Sequence, residues 1–344
     1  MYSPRKIKVL VIDDSLLFRE AVARGLSGDR GIEIVGTAAN PFEARDKIIE
    51  LEPDVLTLDI EMPMMGGIEF LKKLMPQYPM PVVVVSALSN KVFEALNAGA
   101  VDFVTKPNSG SIDGIEGFIN ELIVKVKIAS IAKVSNHKNR YRNNVLNTNN
   151  HINKNDVIIA IGASTGGTEA IFDIIHAFPK EMPGIVVVQH MPPIFTKMYA
   201  QRLNASCEME VKEAEHGDKI ISGRVLIAPG DKHLKINKKE NSYIVECSNG
   251  DKVNRHKPSV DVLFNSIAEK VGASAIGIIL TGMGYDGAKG LLNMKKKGAI
   301  TIGQDENSCV VYGMPKVAYD IGAVSKQVSL KEIPQVIFSA INKR

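Results

Sequence analysis

At 344 residues, with 45% hydrophobic and 23% charged side chains, the chain is long enough for two ordinary globular domains and too apolar to be disordered. It has no run of about 18 uncharged apolar residues, so no membrane insertion is expected, and the apolar start MYSPRKIKVLVIDDS ends in Asp13 and Asp14, as a buried strand does and a cleaved signal does not. The net charge of +4 comes from Lys125, Lys127, Lys133, Lys138, Arg140, Arg142 and Lys154; without these seven, 35 basic residues face 38 acidic ones, and no basic face for a nucleic-acid partner is evident. In chain order, five apolar runs come first: IKVLVID at 7–13, IEIVGTA at 32–38, DVLTLDI at 54–60, PVVVVSA at 81–87 and DFVTKP at 102–107. Patterns of helical period such as SLLFREAVARGL separate them, and a last helix is expected at about 112–128. Runs that are apolar on every residue are buried on both faces, which predicts a five-stranded parallel sheet of flavodoxin-like order over residues 5–125.

The texture changes after Ser135 to NHKNRYRNNVLNTNNHINKN. Such Asn-rich sequence buries too little apolar surface to offset its ordering entropy, so residues 126–155 are read as a flexible linker. Its positive charge either keeps the linker solvated or touches an acidic partner. From residue 156 apolar strands resume as VIIAIGAS, GIVVVQH, GRVLIAPG, AIGIILTG and GAITIGQD, which predicts a second doubly wound, mostly parallel α/β domain over 156–344. The three cysteines, Cys207, Cys247 and Cys309, are too few and too scattered for a disulfide framework or a metal pair, so a reducing, cytoplasmic setting is expected.

In a doubly wound sheet, chemistry collects at the carboxyl ends of the strands. Asp13 and Asp14 end the first strand, Asp59 the third, Ser86 the fourth and Lys106 the fifth. Clustered carboxylates need a cation to stay ionised, and hard oxygen ligands suit Mg²⁺. Mg²⁺ and one lysine would neutralise an incoming phosphoryl group and leave one carboxylate as the nucleophile. Taken singly, each aspartate reads more readily as a helix cap or turn former, and Lys106 as a solvated side chain. As a set, they resemble the receiver domain of two-component response regulators. That resemblance implies that Asp59 is the phospho-acceptor and that Asp13, Asp14, Asp59 and the Glu61 main-chain carbonyl hold Mg²⁺. Ser86 and Lys106 would hold phosphoryl oxygens, and Phe103 would be the aromatic switch.

Residues 162–166 read GASTG between an apolar strand and the helical pattern TEAIFDIIHAF, which fits G-x-S-x-G, a turn that exposes a serine hydroxyl beside backbone N–H groups. A glycine-rich phosphate cradle is the competing reading, although the P-loop lysine and the G-x-G-x-x-G spacing are both missing. A glycine-rich turn without chemistry is the other. A nucleophilic serine needs a base, and the base an orienting acid. The domain offers His176, His190, His216, His233 and His256. His190, at the end of IVVVQH, lies on the same sheet edge as Ser164, and Asp286, in the glycine-rich TGMGYDG, follows another strand. Ser164, His190 and Asp286 are thus the one triad whose members all lie at strand ends.

GASTGG, QHMP and TGMGYDG, with APGDKH at 228–233 and KPSVDVLF at 257–264, resemble the catalytic domain of the chemotaxis protein-glutamate methylesterases. With the receiver pattern ahead of them, the likeness covers nearly the whole chain. It implies hydrolysis of glutamate γ-methyl esters on methyl-accepting chemoreceptors, deamidation of receptor glutamines at the same site, and Met283 and Thr165 main-chain N–H groups as oxyanion support. It further implies a chemotaxis histidine kinase as phosphodonor, inhibition relieved by phosphorylation, Mg²⁺ in the receiver only, and no cofactor in the esterase domain. A transcription factor with a receiver is the rival reading, but the second half lacks a compact helix-turn-helix pattern. An inactive scaffold or a general serine esterase are the others.

Overall fold

Valine- and isoleucine-rich runs become strands wherever both faces can be covered, and each of the apolar runs above does so in the computed structural model, which describes residues 5–87, 89–107, 112–134, 157–240 and 242–342. The chain divides into two compact units, residues 1–140 and 141–344. The first unit runs β1 (Ile7–Ile12), α1 (Leu16–Ser27), β2 (Ile32–Ala38), α2 (Pro41–Leu51), β3 (Val55–Asp59), α3 (Gly67–Leu74), β4 (Val82–Ser86), α4 (Ser89–Asn97), β5 (Asp102–Thr105) and α5 (Ile112–Ala129). Its five strands are parallel in the order β2-β1-β3-β4-β5, the expected flavodoxin-like winding. Two helix starts follow from local chemistry: Ser15 Oγ accepts the Phe18 N–H, and Asn40 Oδ1 accepts those of Phe42 and Glu43 ahead of Pro41. Of the stretch expected as linker, 126–129 is the last turn of α5, and 135–155 lies outside the described residues.

The second unit runs β6 (Ile158–Ala163), α6 (Gly167–His176), β7 (Gly184–Gln189), α7 (Phe195–Ser206), β8 (Glu210–Glu213), β9 (Arg224–Ile227), β10 (His233–Lys239), β11 (Ser242–Ser248), α8 (Val260–Lys270), β12 (Ala275–Ile279), α9 (Ala288–Lys296), β13 (Ile300–Gln304), α10 (Met314–Asp320), β14 (Lys326–Val328) and α11 (Ile333–Asn342). Seven strands form one parallel sheet in the order β14-β13-β12-β6-β7-β9-β8, and β10 and β11 pair separately as an antiparallel hairpin. Every residue of β6 is buried. Ile158 and Ala160 belong to a core with Leu263, Phe264 and Leu291 of α8 and α9, so Ile159 and Ile161, equally buried, face the opposite layer.

The winding reverses beside β6. From β6 the chain moves to β7, reaches β8 at the edge and returns to β9 between them, then crosses back to β12 and moves outward on the other side through β13 and β14. The carboxyl ends of β6 and β12 are therefore a topological switch point, where open α/β sheets leave a crevice. GASTG ends β6 and TGMGYDG follows β12.

Candidate functional site

In the N-terminal unit the strand ends converge as the sequence implies. Asp59 is the last residue of β3 and Ser86 of β4, while Asp13 and Lys106 directly follow β1 and β5. Lys106 Nζ donates to Asp13 Oδ2 and to Asp59 Oδ2, each at 2.7 Å. Asp13 and Asp59 are buried, Asp14 is exposed, and one carboxylate oxygen from each lies within 4.8 Å of the others. Burial pushes the Asp59 carboxyl up, and the Asp13 charge adds to this; Lys106 and the Glu61 N–H oppose it without cancelling it. The Lys106 ammonium is also pushed up, because its hydrogen bonds to Asp13 and Asp59 outweigh burial. The leading causes of the two rises differ, burial for Asp59 and hydrogen bonds for Lys106, and a single cation between two buried anions leaves negative charge over. An all-oxygen donor set, one member of it open to solvent, fits a hard divalent cation. Ser86 is buried on the next strand, its carbonyl accepting the Lys106 N–H, and Phe103 is buried on β5. The sequence reading missed Phe18, whose ring lies 4.6 Å from Lys106 Nζ; a single aromatic in an amphipathic helix gives no such signal.

In the C-terminal unit, Ser164 leaves β6 and α6 starts at Gly167. The reversal is made at Gly166, with φ of 78°, and Ser164 itself has no left-handed backbone, unlike the nucleophile of a strained elbow. The turn is held from three sides. The Ser164 N–H donates to the Thr281 carbonyl at 3.0 Å, and the Ser164 carbonyl accepts from the Gly167 N–H at 2.8 Å and from Gln189 Nε2 at 2.9 Å. Gly282 has no side chain for a steric reason, since a Cβ there would lie 2.6 Å from Ser164 Cβ. This contact sets Met283, which is 44% exposed, one residue from the serine turn. Thr165 is buried, and its carbonyl accepts from Thr281 Oγ1.

His190 follows β7, its N–H donating to the Ala163 carbonyl at 3.1 Å, so its backbone borders the serine turn. Its Nε2 lies 2.8 Å from Asp286 Oδ2. An ionised carboxylate only accepts, so the neutral ring carries its proton on Nε2 and its lone pair on Nδ1. That Nδ1 is buried and takes no hydrogen bond, so the contact that would join it to Ser164 Oγ is not closed in this structure. Catalytic hydrogen bonds are often open in a free enzyme and tighten on the substrate complex.

Asp286 is buried and accepts five hydrogen bonds: from His190 Nε2, Asn254 Nδ2, Ser259 Oγ and the N–H groups of Val260 and Asp261. The last two open α8, so the carboxylate sits on a helix N-terminus. Burial alone would push the Asp286 carboxyl up; the His190 hydrogen bond and charge, Asn254 and the Val260 N–H outweigh it and bring it down to about 2. Asn254 also donates to Asp261, whose carboxyl is pushed up by burial against the pull of the Gly290 N–H. Flat against His190 lies His256, with ring centroids 3.7 Å apart and planes 6° apart. Asn254, His256, Ser259 and Gln189 were assigned no role from sequence. Ser259 and Gln189 stand inside the motifs KPSVDVLF and QHMP, whereas nothing in the sequence marks Asn254.

The fold and the two sites together define a class: an α/β chain that joins a receiver-type acidic cluster to a Ser, His and Asp constellation on a parallel sheet. Comparison with known proteins places it further. The CheB methylesterase family matches residues 159–337 and the response regulator receiver domain matches residues 9–112. Over 339 residues the chain is 57% identical to protein-glutamate methylesterase/protein-glutamine glutaminase 2 of Syntrophomonas wolfei, covering 98% of this chain and 99% of the relative. It is 46% identical over 341 residues to the protein-glutamate methylesterase/protein-glutamine glutaminase of Salmonella typhimurium, covering 98% and 97%. The crystal structure of the Thermotoga maritima CheB methylesterase catalytic domain is similar with a TM-score of 0.53 and 41% identity, over 54% of this chain and 98% of that one. The chain belongs to the CheB methylesterase family, with a response regulator receiver domain ahead of the methylesterase domain. No helix among the described residues is long and apolar enough to cross a membrane.

Proposed function

We propose that this chain is a phosphorylation-regulated protein-glutamate methylesterase that also deamidates glutamine, acting in the cytoplasm on chemoreceptor side chains during chemotactic adaptation. One observation carries the chemical part: Asp286 holds the Nε2–H of His190 at 2.8 Å, which leaves a buried Nδ1 lone pair on a residue whose backbone N–H is bonded to Ala163, next to Ser164. Ser164 Oγ attacks the ester carbonyl and its proton passes to His190 Nδ1. The imidazolium so formed faces the ionised Asp286, which stabilises it. Main-chain N–H groups of Met283 and Thr165 receive the oxyanion. Collapse breaks the ester C–O bond, and the methoxide takes the proton from Nδ1 and leaves as methanol. Water then gives a proton to Nδ1 and its oxygen to the acyl carbon, and the returned proton frees Ser164 and a glutamate. With glutamine the leaving group is ammonia, and the steps are otherwise the same.

In the receiver unit, which we take to run from residue 5 to the end of α5 at Ala129, with the stretch from there to residue 155 as the tether to the esterase unit, Asp59 accepts the phosphoryl group from a chemotaxis histidine kinase. Asp13, Asp14, Asp59 and the Glu61 carbonyl would hold Mg²⁺, which supplies positive charge against the phosphoryl oxygens. Lys106 and Ser86 bind those oxygens, and Phe103 reports the change to the surface. The test is Ser164→Ala in the full chain, assayed for methanol release from methylated receptor membranes with and without acetyl phosphate. Release is expected to vanish while Asp59 still takes phosphate; methanol release at the parent rate would defeat the assignment.

A further inference from the structure

A hydrogen bond at one corner of an imidazole fixes that corner and leaves the plane free to tilt. The His190–Asp286 contact holds Nε2, but a swing of the ring about that point would re-aim Nδ1. The residue that removes this freedom is not one of the three. His256 lies over the His190 face at 3.7 Å between centroids and 6° between planes, and its neighbours hold the acid.

The turn that delivers His256 is built at some conformational cost. The Val253 N–H donates to the His256 carbonyl at 3.1 Å, and the His256 N–H to the Val253 carbonyl at 2.9 Å, which closes a two-residue hairpin. Its central residues, Asn254 and Arg255, have φ of 51° and 70°, as a type I′ turn demands. Asparagine tolerates that region, but arginine does so rarely, and a conformation of this kind persists where the surroundings over-determine it. Here they do. Asn254 Nδ2 reaches both Asp286 and Asp261 at 2.7 Å, and Ser259 Oγ reaches Asp286 at 2.8 Å. A relaxed turn would withdraw the amide from the acid and the ring from the base together.

We propose that residues 253–261 form the positioning segment of the site, with His256 as a positioning residue that holds the His190 plane so that Nδ1 faces Ser164. The role needs a flat ring at residue 256. The proposal rests on His190 being the base, as argued under the proposed function.

The experiment compares the full chain with its Ser164→Ala, His256→Ala and His256→Phe variants, following methanol release from methylated receptor membranes and the melting of each protein. His256→Ala is expected to lower kcat by about 10- to 100-fold with KM unchanged, since a misaimed base slows the chemistry and not the docking. Because phenylalanine restores the flat face without an ionisable group, His256→Phe is expected to recover most of that loss. A His256→Ala protein with the parent kcat overturns the proposal, as does a His256→Phe protein no faster than the alanine variant. If His256→Ala melts below the assay temperature, His256→Phe is compared with the parent instead: a kcat within a few-fold of the parent supports the proposal, and a folded His256→Phe protein about 10- to 100-fold slower overturns it. An active Ser164→Ala protein would instead remove the triad reading itself, which keeps the two failures distinct.

Discussion

In the N-terminal unit two buried aspartates, Asp13 and Asp59, share one ammonium, whereas in the C-terminal unit a single buried aspartate, Asp286, receives five donors. Both sets stand at the carboxyl ends of parallel strands, so topology does not distinguish them. The balance of charge and hydrogen bonds does. Asp59 is pushed up and Asp286 is brought down to about 2. A carboxylate short of positive charge suits a group that meets a cation and a phosphoryl transfer. One with a surplus of donors stays ionised without outside help and serves to hold a neighbour. On the proposed reading, where each carboxylate finds its partners thus separates the reacting group from the orienting one.

The strongest test of that contrast replaces each carboxylate by its amide. Asp286→Asn must turn an NH₂ group either toward His190 and the Val260 N–H or toward Asn254, Ser259 and the Asp261 N–H, and the donors it meets then face no acceptor. We expect kcat for methanol release to fall by about 10⁴-fold, and the C-terminal unit to lose about 1–3 kcal/mol. Asp59→Asn removes a charge that Asp13 already opposes, so the melting of the N-terminal unit without divalent cations should hold steady or rise. Denaturation curves of both variants check the pair. Equal losses in the two units would break the comparison.

The serine turn gives the next largest effect. A methyl group at Gly282 meets Ser164 Cβ at 2.6 Å, Ser164 N at 3.0 Å and Met314 Sδ at 2.6 Å. The methionine can move, but Ser164 is tied to Thr281, Gly167 and Gln189, so the nucleophile itself must shift. Gly282→Ala is expected to cost about 10²-fold in kcat and about 1–3 kcal/mol in stability, as steady-state rates and urea curves would record. Unchanged kinetics would mean that the loop after β12 does not set the position of the serine.

How far the sequence announces these sites depends on what each residue needs. Strands apolar throughout revealed β1, β3, β4, β6, β7, β12 and β13, because burial on both faces leaves no polar alternation. Short or polar strands such as β8 (EVKE), β14 (KQV) and the β10–β11 hairpin carry charged residues at exposed positions and merge with loop composition. Residues at strand ends were legible for the same reason as the strands: once the sheet is read, Asp13, Asp59, Lys106, Ser164 and His190 fall on one rim of their own sheet. The residues that hold Asp286 were not. Asn254 and His256 arrive from a turn whose positive φ values come without glycine, so neither spacing nor composition marks it.

Acid should separate the two aspartates by sign. Asp286 lies below its ordinary value of 3.8, so its stabilising contribution is fully present above that value and is lost as pH falls through about 2. The displacement is worth about 2 kcal/mol, an order-of-magnitude figure for a fully buried carboxylate. Asp59 lies above its ordinary value, so its ionisation works against the folded state, and protonation as pH falls relieves it. Urea midpoints from about pH 5 to about pH 2, for the parent against Asp286→Asn and Asp59→Asn, would show the first difference shrinking by about 2 kcal/mol and the second moving in the opposite direction. Two differences of the same sign would contradict the electrostatic account.

The smallest effect concerns Asp14, the exposed member of the acidic cluster. Without a divalent cation, its side chain is an ordinary surface carboxylate, and Asp14→Asn should change stability by less than about 0.5 kcal/mol. With Mg²⁺, which binds the folded state only, the parent gains stability as the logarithm of ligand concentration over Kd. Removal of one of three carboxylates should raise Kd by about tenfold, which at saturation costs about 1.4 kcal/mol of that gain. Thermal midpoints of the N-terminal transition followed across a Mg²⁺ titration, and reversed with chelator, measure both terms. Identical Mg²⁺-dependent rises in parent and variant would show that the surplus of negative charge around Asp59 is relieved without Asp14, and that the cation is held by the two buried carboxylates and main-chain oxygen alone.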